Sequence, residues 1–337
     1  MSPFLFKKGE KMKHVQSIII GAGPCGLSAS IEQKKKGIDN IVIEKGNVVE
    51  AIYNYPTHQT FFSTSEKLSI GDIPFIVEEH KPHRNQALVY YRSVVKYHDL
   101  KIHSGEEVLK VEKHEDEFII TTTKAHYTCN YVTVATGYYG QPNTLDVPGA
   151  DLDKVQHYFK EAHPYFDQDV LIIGGKNSAI DAAIELEKAG ARVTAVYRGD
   201  TYSKSVKPWI LPLYESLVNH EKIKLYFNSH VTSINDSEVI IQTPDGEMAI
   251  KNDTVFAMIG YHPDYTFLGD MGIALITNEF GTAPFYDRET METNIDNLYI
   301  AGVIAAGNDA NTIFIENGKF HGGLIADDII KKETRGQ

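Results

Sequence analysis

The 337-residue chain is poor in cysteine, with only Cys25 and Cys129, about a hundred residues apart. Two thiols so separated form neither a disulfide framework nor a thiolate metal site, and they suit a reducing cytoplasm. No Cys-x-x-Cys occurs anywhere, which removes the dithiol that relays two electrons to a protein disulfide. Basic residues are scarce as well: 33 Lys and Arg face 45 Asp and Glu, a net charge of -12. Nucleic acid is excluded as a partner, because phosphate binding needs a basic surface. No apolar run approaches the roughly 20 residues of a membrane span. Residues 1–11 hold three apolar residues in a row, too few for a signal-peptide core. That stretch is expected to be a loose tail, with Met12 an equally good start.

What is present is one plan used twice. The apolar Ser17-Ile-Ile-Ile20 leads into Gly21-Ala-Gly-Pro-Cys-Gly26 and a helical run, and a second strand ends in Glu44. A short meander follows, and Tyr131-Val-Thr-Val-Ala-Thr-Gly137 returns. The second copy begins at Val170-Leu-Ile-Ile-Gly-Gly-Lys-Asn-Ser-Ala179, reaches Arg198 at the end of its second strand, and closes at Thr254-Val-Phe-Ala-Met-Ile-Gly260. Strand, glycine turn, helix, strand, meander and return strand make a nucleotide-binding unit. The reading is α/β: two Rossmann-like three-layer domains, each with a small antiparallel meander. The first domain is discontinuous, 12–143 and 274–337, and the second is 144–273. The first copy is longer by an aromatic- and hydroxyl-rich insertion, roughly Val49 to Arg84, which suits a flat ring lying on it.

The turns differ in what they bind. Gly21 permits a tight turn, Gly23 lets the backbone approach a pyrophosphate, and Gly26 allows close helix packing. The helix start offers free N–H groups to phosphate. Glu44 can accept ribose hydroxyls and would repel a 2′-phosphate, so this half takes FAD or NAD. In the second turn Lys176 replaces the middle glycine, and pairing with the pyrophosphate is the expected use. Arg198, Lys204 and Lys207 stand where an acid would select NAD, which points to the 2′-phosphate of NADPH. The C-terminal Asn297–Gly302 strand shows no further nucleotide plan and is expected to rejoin the first domain. Thr312 to Ile315 would then start a helix aimed at the flavin pyrimidine edge.

The whole set of motifs resembles the flavoproteins with two dinucleotide-binding domains. More closely, the runs from Ile43 to Ser63, Ala135 to Gly140 and Ile172 to Asp181 resemble the bacillithiol disulfide reductase family. So do Lys207 to Pro212, Met258 to Tyr265 and Ala301 to Gly323. The resemblance covers about Val15 to Ile325. It implies FAD at Gly21, Gly23, Pro24, Gly26, Glu44, Lys45, His58, Gln59, Thr60, Phe61, Val108, Ala135, Gly137, Gly302, Val303, Thr312 and Ile313. It implies NADPH at Gly174, Gly175, Lys176, Asn177, Ser178, Ala179, Arg198, Lys204, Lys207 and Gly260. Val303 stands where many relatives carry an aspartate on the ribityl chain. The implied reaction passes a hydride from NADPH to the flavin and reduces bacillithiol disulfide, in a cytoplasmic homo-oligomer.

Cys25 has two roles open to it. In the first turn of the helix, dipole and free N–H groups favour a thiolate that could attack the substrate. The FAD phosphates oppose a second anion there, and a small packing residue would serve equally. Cys129 reads as structural. No metal site is expected. Bacillithiol carries carboxylates, and Lys81, His83, Arg84 and Lys319 are candidate cations for them. Alternative readings are a ferredoxin or flavodoxin reductase, a flavin monooxygenase (Phe159 and His163 echo its signature at the wrong spacing) or a redox-sensing flavoprotein without turnover.

Overall fold

The computed structural model describes residues 12–309 and 312–335. The expected tail, 1–11, lies outside the described residues. The chain packs as two compact units. Of the described residues, one comprises those up to Tyr53, Gln59–Gln141 and those from His262; the other comprises Asn54–His58 and Pro142–Tyr261.

The first unit is built on a five-stranded parallel sheet. Its order is Leu298–Ile300, Tyr131–Val134, Ser17–Ile20, Asn40–Glu44, Ile102–Ser104. Ser17–Ile20 lies mid-sheet and is buried on both faces, which is why it reads as an unbroken apolar run. Ile18 and Ile19 are fully buried, each worth about 1.5–3 kcal/mol. The C-terminal strand joins this sheet by pairing Leu298–Ile300 with Val132–Val134. The helix Pro24–Lys35 covers the sheet, with Pro24 in its first turn, where a missing N–H costs nothing. The long helix His321–Arg335 lies on it: a β-carbon on Gly322 would come within 2.6 Å of the Ala29 backbone. Strands Val108–His114, Glu117–Thr122 and His126–Cys129 form the meander. In Glu117–Thr122 every second residue is buried, the alternation of a half-covered strand.

The second unit repeats the plan. Its parallel sheet runs Ile223–Tyr226, Arg192–Val196, Asp169–Ile173, Thr254–Ala257, Val155–Gln156. Helix Asn177–Lys188 buries Ala179, Ile180, Ala183 and Leu186 against Ile172 and Phe256. On the other face the meander His230–Ile234, Glu238–Thr243 and Gly246–Lys251 packs Val239 and Ile241 with Leu171 and Val255.

Three features depart from the sequence reading. The second unit ends at Tyr261, not 273, because His262 already bonds back to Gln141 in the first. The insertion, for which the sequence reading gave no regular element, holds one-turn helices at Glu50–Tyr53 and Ser65–Leu68 and ends where helix Arg84–Tyr97 begins. That helix is fixed by a ring stack, Phe75 on Tyr90 at 4.2 Å, by the Tyr90 hydroxyl accepting from Ile70 N and donating to the Ile73 carbonyl, and by the Tyr91 hydroxyl donating to the Leu68 carbonyl. The helix expected from Thr312 is a single turn, Ile315–Gly318, and the long one begins at His321. Asn317 closes that turn, accepting from Phe314 N and donating to the Thr312 carbonyl, both at 2.7 Å. One turn carries little of a helix dipole.

Candidate functional site

Both glycine turns are shaped by the same close approach. Gly21 has φ +106°, and a β-carbon there would lie 2.5 Å from the carbonyl oxygen of Ala135, just beyond Tyr131–Val134. Gly174 has φ +142°, and its β-carbon would lie 2.5 Å from the carbonyl oxygen of Met258, just beyond Thr254–Ala257. Each first glycine therefore lets the return strand close against the turn. Gly26 is tighter still, since a β-carbon would meet the Gly21 oxygen at 2.0 Å, whereas nothing lies within 4 Å of one on Gly23. Open space at the helix start beside a required glycine is a cradle for a pyrophosphate.

Glu44 is buried, and its carboxylate accepts from Ala22 N at 2.8 Å and Gly46 N at 2.7 Å. Burial holds its carboxyl above the usual range, against the two backbone N–H groups that favour the charge. Each oxygen keeps a lone pair for a ribose hydroxyl. Lys45 is exposed, and its Nζ comes within 3.4 Å of a β-carbon on Gly140. Gly137 takes φ +69° with open space beside it. Val108 is buried at the start of a partly exposed meander strand, and Val303 opens the short turn Val303–Ala306. Thr312 is exposed, while Ile313 is half-buried.

In the second unit Lys176 caps helix Asn177–Lys188 in extended backbone (φ -107°), so no glycine is required there. Ser178 and Arg198 are exposed at the same end. Gly260, at φ +98°, accepts from Asn143 N. Tyr197 was not foreseen: its ring covers Gly175 and Gly199, whose β-carbons would fall 2.4 and 2.5 Å from it. Asn177 was expected on the cofactor, but its amide is engaged by the loop. Nδ2 donates to the Ser205 carbonyl at 2.9 Å, and Oδ1 accepts from Lys207 N at 2.8 Å. Asn177 thus pins the loop of Lys204 and Lys207 to the helix start.

Other expected residues are placed differently. His58 belongs to the second unit, its Nε2 3.0 Å from Asp181 and its ring edge-on to Phe159. The Asp181 carboxylate raises its pKa, outweighing burial. Gln59, Thr60 and Phe61 stay in the first unit, tied to residues 82–84: Arg84 N donates to the Gln59 carbonyl, Thr60 Oγ1 lies 3.0 Å from His83 Nδ1, and Phe61 N donates to the Pro82 carbonyl. Arg84 is buried, donates to the Tyr53 carbonyl and covers the Tyr53 ring, so its guanidinium is committed within the first unit. Lys319 donates to the carbonyls of Lys67 and Ser69 at 2.8 Å each and is likewise committed.

Cys25 is half-buried, and burial pushes its thiol up to about 12, opposite to the lowering that a helix start favours. Its Sγ would lie 3.0 Å from a β-carbon on Gly302 and 3.1 Å from one on Gly318, so two glycines leave room for it. Cys129 is fully buried in the meander, its thiol also raised. No cluster of metal-ligating side chains occurs among the described residues.

A repeated glycine cradle with an acid in one copy and cations in the other is the geometry of two different nucleotides. The family model for pyridine nucleotide-disulphide oxidoreductases matches residues 18–302. The chain belongs to that family. It is 59% identical over 321 residues to bacilliredoxin reductase Bdr of Bacillus subtilis, covering 95% of this chain and 98% of that protein. A solved structure of bacillithiol disulfide reductase Bdr from Staphylococcus aureus superposes with TM-score 0.94 at 70% identity, covering 96% of this chain and all of that one. The Bacillus cereus counterpart gives 0.92 at 55%, covering 95% of this chain and all of that one. The protein is a flavoenzyme oxidoreductase of the family, and FAD and NADPH are its cofactors. Both cradles fit such groups.

Proposed function

We propose that the chain reduces bacillithiol disulfide with electrons from NADPH. FAD is assigned to the Gly21–Gly26 turn with Glu44, and NADPH to the Gly174–Ala179 turn with Arg198, Lys204 and Lys207. The observation that carries the reading is the pair of cradles with opposite charge at their second strands, in a chain closely similar to proteins named for this substrate. The flavin, when bound, accepts two electrons as hydride and passes them on. The protein's part is to hold the two nucleotides and the disulfide. Net, NADPH, one proton and the disulfide give NADP⁺ and two thiols. Cys25 is assigned the exchange with the substrate: its thiolate attacks one sulfur, the other leaves as thiolate, and the mixed disulfide then takes the two electrons. A second reading, reduction without any protein thiol, is favoured by the high pKa of Cys25.

A cytoplasmic homo-oligomer completes the proposal. No helix among the described residues is long and apolar enough to cross a membrane. The test is anaerobic. Holoenzyme is reduced with NADPH, bacillithiol disulfide is added, and flavin reoxidation is followed in wild type and Cys25→Ala. Reoxidation in wild type and not in the variant is the expected result. Failure in wild type refutes the substrate, and full reoxidation in the variant establishes the second reading.

A further inference from the structure

His321 opens the C-terminal helix and takes no part in the roles above. Its Nδ1 lies 3.1 Å from the backbone nitrogen of Gly302. A backbone N–H can only donate, so Nδ1 accepts and the ring proton sits on Nε2. The ring is neutral, because burial pushes its pKa down to about 4. It also lines a cavity of about 740 Å³ together with Thr312 and Ile313.

Gly302 is a residue that needs holding. It joins strand Leu298–Ile300 to the turn Val303–Ala306 at φ +80°, a conformation open to glycine and rarely to others. A β-carbon on it would fall 2.9 Å from Cys25 Cβ and 3.0 Å from Sγ. On the far side, a β-carbon on Gly318 would lie 3.1 Å from Sγ, from Gly302 Cα and from Ile313 Cγ2. The thiol, Gly302, Gly318 and Ile313 thus form one tight knot. The Gly302 carbonyl is used by Ala305 N, and the Gly302 N–H is used by His321.

We propose that His321 is a positioning residue of the redox site: its ring accepts the Gly302 N–H and so fixes the turn that closes over the Cys25 thiol. The inference rests on the assignment of this turn to the flavin site, but its test does not use the disulfide substrate. Without the acceptor the N–H of buried Gly302 loses its partner, and the tight packing of Gly302 against Cys25 and Gly318 passes any shift of the turn on to the thiol. Access to Cys25 and the surroundings of the flavin should then change together.

The test uses FAD-loaded protein and two substitutions. His321→Asn places an amide oxygen near the position of Nδ1, whereas His321→Leu keeps bulk and removes the acceptor. The measurements are the rate at which Cys25 reacts with dithiodipyridine and the visible flavin spectrum. We expect His321→Leu to react about tenfold faster with displaced flavin bands, and His321→Asn to stay within about threefold of wild type. If His321→Leu does not hold FAD, His321→Ala with added imidazole replaces it, and imidazole is expected to return the rate toward wild type. A wild-type rate and spectrum in His321→Leu, equal changes in Leu and Asn, or no effect of imidazole on His321→Ala would each overturn the proposal. Absence of disulfide turnover in wild type counts against the proposed function and leaves these readings intact.

Discussion

The Cys25 thiol offers the sharpest test of the site. Burial pushes it up to about 12, and two glycines pack against its sulfur. A free cysteine near pKa 8.5 is about 3% thiolate at pH 7, whereas a thiol near 12 is about 0.001%. The ratio is about 3,000. A more basic thiolate is also a better nucleophile, and with a Brønsted coefficient of about 0.4 this recovers about 25-fold. Resting enzyme should therefore exchange with a small disulfide about a hundredfold more slowly than free cysteine at pH 7, before any steric hindrance. The assay follows dithiodipyridine absorbance on holoenzyme from pH 7 to 10, with Cys129→Ala as a control that should change nothing, since Cys129 is fully buried. The rate should climb about tenfold per pH unit with no plateau. A rate equal to free cysteine at pH 7, or a midpoint below pH 9, would refute the argument. Slow resting exchange combined with fast turnover would mean that the knot around Cys25 opens during the reaction.

Three further outcomes are expected. Gly26→Ala should destabilise the apoprotein by about 3 kcal/mol, since its β-carbon meets backbone at 2.0 Å, while Gly23→Ala should melt like wild type yet bind FAD more weakly; calorimetry and flavin titration separate the two. Asn177→Ala should raise the KM for NADPH about tenfold and leave that for NADH unchanged in steady-state kinetics, because it frees the loop of Lys204 and Lys207. The His58–Asp181 pair raises the folded-state pKa of His58, so its stabilisation is full below about pH 6.5 and is lost as pH rises through the folded value. Denaturant unfolding of His58→Gln should accordingly fall below wild type at pH 6 and converge with it by pH 8.5, and a constant gap would contradict the pair.

Much of this was legible in the chain because the plan is local. Ile18–Ile20 and Leu171–Ile173 are central strands, and a buried parallel strand shows itself as a continuous apolar run. Gly21 and Gly174 carry their geometry in their own dihedral angles, and Gly26 is required by its contact with Gly21, only five residues away. What was not legible depends on partners far away in sequence. Asn177 looks like a cofactor ligand until Ser205 and Lys207 arrive to occupy it. Arg84 and Lys319 look like free cations until carbonyls of Tyr53, Lys67 and Ser69 claim them. The helix-start position of Cys25 suggested a lowered pKa, but packing against Gly302 and Gly318 reverses the sign. His321 lies in the Ala301–Gly323 run, but nothing in that run marks its bond to Gly302, which only the fold makes.

The five residues Asn54–His58 have a practical consequence for anyone cutting this protein apart. They are encoded inside the first unit's stretch, yet Thr57 bonds to Lys160 and His58 to Asp181, in the second. A fragment of residues 142–261 made alone would lack them. It would leave Asp181 without its imidazole and bare the face of Phe159, which is 1% exposed in the intact chain. The nucleotide-binding module is thus not a detachable cassette, and a graft that moves it to another scaffold must carry this short piece as a separate, covalently supplied part.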